Sequence, residues 1–346
     1  TAGIEAIRNH RTHYEPSLGL MELRQAVADE VEKTRGFRPS TDQVVITPGL
    51  KPGIFFSMLS IIDPGDEVLF PDPGYPTYGS VTAMVGAKPV PVPLREENEF
   101  RMNPADVRRL VTDKTKVIII NSPHNPTGAV STAAELKEIH DIAEAHDIYV
   151  ISDEVYSKMT YDGVQAPSIS VYDKAQERTV LLDGFSKCYV MTGWRLGYMV
   201  VPEPMAERLR DFLVSAVSCT ASFTQWAGVE ALTGDQTFIK GMMDRFTQKR
   251  DRIVAGLNEI PGISCRPPKG AFYAFANIQE TGMTSQECSE FVLNQCGIAS
   301  VPGTAFGEAG EGFLRFSYAT TLDIIDEACE QMKTAFTKRL KTKIPA

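Results

Sequence analysis

Six short apolar runs, each closed by turn residues, constrain this chain more than any other feature. They are "QVVIT" (43–47), "EVLFP" (67–71), "KVIII" (116–120), "IYVIS" (148–152), "TVLLD" (179–183) and "YMVVP" (198–202). Their apolar residues are consecutive and do not alternate with polar ones, which predicts strands buried on both faces, as in a mainly parallel sheet covered by helices. Helical patterns lie between them. Leu20, Leu23, Val27 and Val31 share one face at three- to four-residue spacing. Segment 131–147, "STAAELKEIHDIAEAHD", places Leu136, Ile139 and Ile142 or Ala143 behind a Ser/Thr cap and an early Glu. Strands and helices in alternation predict an α/β fold.

The texture changes near residue 236. The segment "FIKGMMDRFTQKRDRIVAGLNEI" reads as one long helix stopped by Pro261-Gly262. After it, "GAFYAFANI" and "GFLRFSYAT" alternate as half-buried strands do, and a helix carrying Ile325, Ala328 and Met332 follows. A domain boundary is expected there, with the long helix as connector. No internal repeat or low-complexity segment stands out.

Composition narrows the function classes. A net charge of −9 over 346 residues argues against nucleic acid as a partner, since phosphate backbones require basic stripes. No apolar run approaches the ~18 residues of a membrane helix, and no basic-then-apolar signal segment opens the sequence. The cysteines at 188, 219, 265, 288, 296 and 329 form no C-x-x-C and have no histidines clustered near them. Zinc ligation and a disulfide framework are therefore not expected, and reduced thiols in a cytoplasmic protein are.

Four loops follow predicted strands at what a parallel sheet makes a common carboxyl-end edge, where ligands of open α/β sheets bind. After "QVVIT" comes "PGLKPGIFFSML", a glycine turn opening a helix whose first turn holds Gly49, Leu50 and Lys51; free N–H groups there suit a phosphate. After "KVIII" comes the stiff loop "NSPHNPTG", and after "IYVIS" come Asp153, Glu154 and Tyr156. The fourth loop carries Ser186-Lys187. Singly, each part has a plainer reading: a surface lysine, a capping carboxylate, a turn. In this order they share one chemistry. A Schiff-base lysine needs an apolar pocket and cationic neighbours to lower its pKa from about 10.4. A carboxylate against a pyridine nitrogen keeps that ring an electron sink. A phenol and an amide tune the ring oxygen, and a phosphate handle needs helix N–H groups, a hydroxyl and an arginine. That set describes a site for pyridoxal 5′-phosphate.

On "HYEPSLGLMELRQAV", "NSPHNPTG", "SDEVYSKMTYDG", "GFSKCYVMTGWRLGY" and "FLRFSYA", the chain resembles the class I/II aminotransferases of the fold-type-I pyridoxal phosphate family, in the branch of bacterial aspartate, alanine and aromatic aminotransferases. The resemblance runs over essentially the whole chain. It implies an α/β fold with a large cofactor-binding domain, residues 1–235, built on a mainly parallel sheet flanked by helices. A smaller α+β C-terminal domain with the long connecting helix would occupy residues 236–346. Carried over by position, Lys187 would be the Schiff-base lysine and proton-transfer base, Asp153 the partner of the pyridine nitrogen, and Tyr156 and Asn125 the hydrogen-bonding groups at the ring oxygen. Tyr75 would stack on the ring. Gly49, Leu50 and Lys51, with Ser186 and Arg195, would hold the phosphate. Tyr14 would reach it from a second subunit, which implies a homodimer with shared sites, and Arg315 would clamp the substrate α-carboxylate. Two departures stand out. The family's N-terminal arm, with a glycine near the substrate, would precede Thr1. Gly184 stands where several relatives have a phosphate-binding serine, which leaves Ser186 as the only nearby hydroxyl.

The implied reaction moves the amino group of an L-amino acid, of aspartate type, to a 2-oxo acid such as 2-oxoglutarate, in two half-reactions. The alternative on the same site is a C–S β-lyase. A non-catalytic regulatory domain is disfavoured because nothing in the sequence reads as a DNA-binding module, and a nicotinamide enzyme because no G-x-G-x-x-G follows the early strands.

Overall fold

The computed structural model describes residues 1–173 and 176–343. Seven strands build the main sheet: β1 (Val44–Thr47), β2 (Glu67–Asp72), β3 (Lys88–Pro93), β4 (Thr115–Asn121), β5 (Tyr149–Asp153), β6 (Thr179–Gly184) and β7 (Gly197–Val200). Their order is β1-β7-β6-β5-β4-β2-β3. Strands β6, β5, β4, β2 and β3 pair in parallel, while β7 runs antiparallel to both of its neighbours. The expected "YMVVP" strand is therefore the one that runs against the rest. Strand β1 points the same way as β6, so β1, β4, β5 and β6 end at one edge.

The side chains of β4 explain its unbroken apolar run. Val117 and Ile119 enter one core with Ile54 and Met58 of α3 (Leu50–Ile61) and Leu209 and Leu213 of α7 (Glu203–Ala216). Ile118 and Ile120 enter another, against Leu136, Ile139 and Ile142 of α6 (Ala133–Ala145). With both faces covered there is no polar side to alternate with, and burying each such side chain contributes roughly 1.5–3 kcal/mol. Thr132 caps α6: its Oγ1 accepts from the Glu135 N–H at 3.2 Å, and the Glu135 carboxylate accepts from the Thr132 N–H at 2.8 Å. Leu20, Leu23, Val27 and Val31, the last three on α2 (Met21–Arg35), form a further core with Ile46, Leu181 and Tyr198. Helices α1 (Ala2–Arg8), α4 (Thr77–Met84), α5 (Pro104–Leu110) and α8 (Ser222–Thr233) complete this part.

The long helix expected over 238–260 is α9 (Thr237–Asn258). It packs with α10 (Ser285–Cys296) and α11 (Leu322–Lys343) around a second, antiparallel sheet of β8 (Tyr273–Asn277), β9 (Val301–Pro302) and β10 (Phe313–Ser317), ordered β8-β10-β9. Phe275, Phe306 and Phe313 of this part join the core of the main sheet. At the junction the Ala309 N–H donates to Asp72 Oδ1 at 3.1 Å and the Gly74 N–H to the Phe306 carbonyl at 2.7 Å. Those contacts bring β10 to the carboxyl-end edge of the main sheet.

Two strands escaped the sequence pattern, the two-residue β9 and β3. Strand β3 is "KPVPVP", and prolines cannot donate to a ladder. Among the described residues it pairs with β2 alone, at the sheet edge, where a missing donor costs nothing.

Candidate active site

A cavity of about 330 Å³ lies at the carboxyl-end edge. Of the residues given a role from the sequence, all but Gly49 and Tyr14 line it. A larger groove of about 630 Å³, by Gln43 and Tyr149 at the opposite strand ends, contains none of them.

At the end of β1, Gly49 (φ +83°) opens α3, and no side chain caps that helix. Its first turn therefore presents N–H groups and the positive end of the helix dipole to the cavity. Arg195 leans over this point so closely that a Cβ on Gly49 would lie 2.1 Å from its Nη2. Glycine is required there by both the backbone angle and the guanidinium. Arg195 is itself held by Nη1 donating to the Thr192 carbonyl at 2.9 Å.

Asparagines carry the end of β4. Asn121 Nδ2 donates to the Asp153 carbonyl at 3.0 Å, and Asn121 Oδ1 accepts from the Asn125 N–H at 2.9 Å. Asn125 Oδ1 accepts from Arg315 Nη1 at 3.0 Å, which leaves the amide's own N–H groups for a ligand. Beside them, burial drives His124 down to about 3, so it is a neutral ring, bonded through Nδ1 to Thr127 Oγ1 at 2.8 Å.

Asp153 ends β5 inside the cavity. Burial lifts its carboxyl from 3.8 to about 6, against the Tyr78 hydroxyl, which donates to Oδ2 at 2.8 Å, and the Val155 N–H. Tyr156 lies one turn on, its hydroxyl 2.8 Å from that of Tyr273. Burial pushes Tyr156 well above the ordinary phenol range.

The turn after β6 presents Ser186 and Lys187. The Lys187 amine is 5.6 Å from the ring centre of Tyr156 and 5.5 Å from that of Phe272. Burial brings this amine below its ordinary 10.5; Asp153 opposes the shift, and the Arg315 and Arg195 charges add to it. From the second sheet, the Arg315 guanidinium carbon lies 4.6 Å from the Tyr273 ring centre and 4.7 Å from that of Phe306. Its Nε is buried without a partner.

Several lining residues were not legible as site residues: Tyr78, Asn121, Thr192 and Tyr273. Tyr78 had a faint signal, three residues beyond Tyr75. Thr192 corrects one expectation: Ser186 is not the only hydroxyl near the cavity, because the turn folds back and brings Thr192 to its wall. A serine at position 184 would be crowded, since a Cβ on Gly184 would come 2.9 Å from Leu50 Cδ1 and 3.0 Å from the Gly197 Cα, so both neighbours would have to shift. Tyr14 is 87% exposed and does not line the cavity.

Fold and cavity together define a class: an α/β enzyme with an anion cradle, a buried unpaired carboxylate and a lysine of lowered basicity in one pocket. The chain matches the family described as aminotransferase class I and II over residues 1–332 and belongs to it. It is 41% identical over 333 residues to aromatic-amino-acid aminotransferase 2 of Thermococcus litoralis, covering 95% of this chain and 85% of that protein. It is 40% identical over 341 residues to the aspartate aminotransferase of Pyrococcus abyssi, covering 98% and 87%. The crystal structure of an aromatic aminotransferase from Pyrococcus horikoshii OT3 superimposes with a TM-score of 0.96 at 40% identity, covering 98% of this chain and 91% of that one. The protein is a pyridoxal phosphate-dependent aminotransferase with the fold-type-I architecture. The β-lyase alternative is not favoured, since these relatives are all named aminotransferases. The cavity suits the cofactor: the uncapped α3 with Arg195 above it matches a phosphate, and buried Asp153 matches a ring cation.

Proposed function

We propose that Lys187 tethers the cofactor and shuttles the proton at the substrate α-carbon, while Asp153 keeps positive charge at the ring nitrogen. When bound, pyridoxal phosphate supplies an electron sink for bonds changing at that carbon. Tyr156 and Asn125 hydrogen-bond the ring oxygen, and Tyr75 stacks on the ring. The α3 N–H groups at Leu50 and Lys51, beyond Gly49, hold the phosphate with Ser186 and Arg195. Arg315 clamps the substrate α-carboxylate. The observation that carries this reading is the single cavity lined by both Lys187 and Asp153. The partnerless Arg315 Nε adds to it, since an unmatched buried donor costs ~1–3 kcal/mol and a carboxylate would relieve it.

The donor in this reading is an amino acid of aspartate type and the acceptor a 2-oxo acid such as 2-oxoglutarate, in keeping with the aspartate and aromatic names of the relatives. The chain acts as a cytoplasmic homodimer with Tyr14 completing the partner's phosphate site. Ile4 and Ile7 on α1 and Val190 in the lysine turn are exposed apolar side chains, which suits a covered surface. Among the described residues no helix is long and apolar enough to cross a membrane. Residues 1–235 and 236–346 act as large and small domains, in keeping with their separate sheets.

The test is a half-reaction screen of the holoenzyme, following its visible band with aspartate, glutamate, alanine and aromatic amino acids. Conversion by aspartate and glutamate is expected. If they leave the band unchanged while alanine or an aromatic converts it, the aspartate-type assignment falls. Ammonia and pyruvate released from cystathionine with no oxo-acid acceptor would restore the lyase.

A further inference from the structure

Tyr273 begins β8 and touches both ends of the chemistry. Arg315 is in register with Phe275, which makes Tyr273, two residues away on the same strand, its diagonal neighbour across the β8–β10 pair. The Tyr273 ring centre is 4.6 Å from the Arg315 guanidinium carbon, and its hydroxyl is 2.8 Å from that of Tyr156. The side chain is buried at the cavity wall.

Two phenols at that distance share one hydrogen, so one donates and the other accepts. On the proposed reading Tyr156 donates to the cofactor, and its oxygen is then free only to accept. The donor is therefore Tyr273. We propose that Tyr273 is a positioning residue that serves both halves of the site: its hydroxyl polarises Tyr156 toward the cofactor, and its ring face orients the Arg315 clamp. This rests on the assignment of Tyr156 to the cofactor. Hydroxyl chains strengthen each member by ~10–30% per bond, and a cation over a ring is worth roughly two- to thirtyfold in binding. The charged and titratable groups facing the pair are Arg315 and Tyr75 around Tyr273, and Asp153 and Arg315 around Tyr156. Lys187 faces the Tyr156 ring.

The two arms separate by substitution. Tyr273→Phe keeps the ring and removes the hydroxyl. Tyr156 then donates less strongly, the cofactor's ring oxygen becomes more basic, and the lysine–cofactor linkage holds its proton to higher pH. The pH midpoint of the holoenzyme's visible band is expected to rise by about 0.2–0.4 pH unit, from a fifth or so of a charge-assisted hydrogen bond, with KM for the amino acid within about threefold of wild type. Tyr273→Leu removes the ring as well, and KM is expected to rise about tenfold. An unchanged midpoint in Tyr273→Phe, in a protein that still carries the visible band, overturns the relay and leaves the site assignment intact. If Tyr273→Leu binds substrate as tightly as Tyr273→Phe, the clamp arm falls. If the wild-type protein acquires no visible band with pyridoxal phosphate, the cofactor assignment falls and takes the relay with it.

Discussion

Asp153 and Glu154 are consecutive residues at the end of β5, both at least 96% buried, in opposite circumstances. Glu154 meets Arg35, which enters from α2 and donates from Nε to Oε2 at 2.9 Å. The same guanidinium reaches Asp183 of β6 at 2.7 Å, and the Ser152 and Tyr198 hydroxyls donate to Glu154 and Asp183. Burial opposes the charge on Arg35, but the two carboxylates outweigh it and hold the guanidinium above its ordinary range. Asp153 has no such cation and meets a phenol and the cavity. A buried carboxylate with its countercharge supplied ties two strand ends together; one without waits for a charge from outside. Residues one apart in an extended chain point to opposite faces, and that alternation separates the two roles.

Three substitutions test this contrast. Lys187→Ala acts on the cavity face and is expected to lower the half-reaction rate by at least ~10²–10⁴-fold and remove the visible band. A variant turning over near the wild-type rate would end the role given to that face. Arg35→Met acts on the other side, leaving Glu154 and Asp183 buried without their cation. Urea unfolding should show a loss of roughly 3–5 kcal/mol, and a loss under about 1 kcal/mol would make the network incidental.

Asp153→Asn has the smallest effect on the fold and shows it through pH. The folded apoprotein binds the Asp153 proton more tightly than the unfolded chain, because its carboxyl is raised from 3.8 to about 6. The stability this confers is full below about pH 4 and lost as the pH rises through 6. Relative to the Asn variant, wild-type apoprotein should lose roughly 3 kcal/mol over that interval. A pH-independent difference between the two would show that Asp153 is not held in the raised state.

Legibility followed the range of the interaction. Strands such as β4 could be read because covering both faces leaves an unbroken apolar run, and α6 because its cap and stripe are local. Strand β3 could not, since its prolines are tolerable only at an edge, and edge position belongs to the assembled sheet. In the same way, the residues at strand ends announced themselves through Gly49, Asn125, Asp153 and Lys187. Tyr78 reaches Asp153 across 75 positions and Arg35 reaches Asp183 across 148; no local pattern marks either.

By itself the amino-acid order determined the alternation of strands and helices and the reactive groups placed where strands stop, because both depend on neighbours a few residues apart. Which carboxylate would be neutralised by protein and which left for a ligand was decided only when α2, α4 and the second sheet packed against that edge. Countercharge, burial and the shared hydrogen of the Tyr156–Tyr273 pair depend on distances that exist only in the folded molecule.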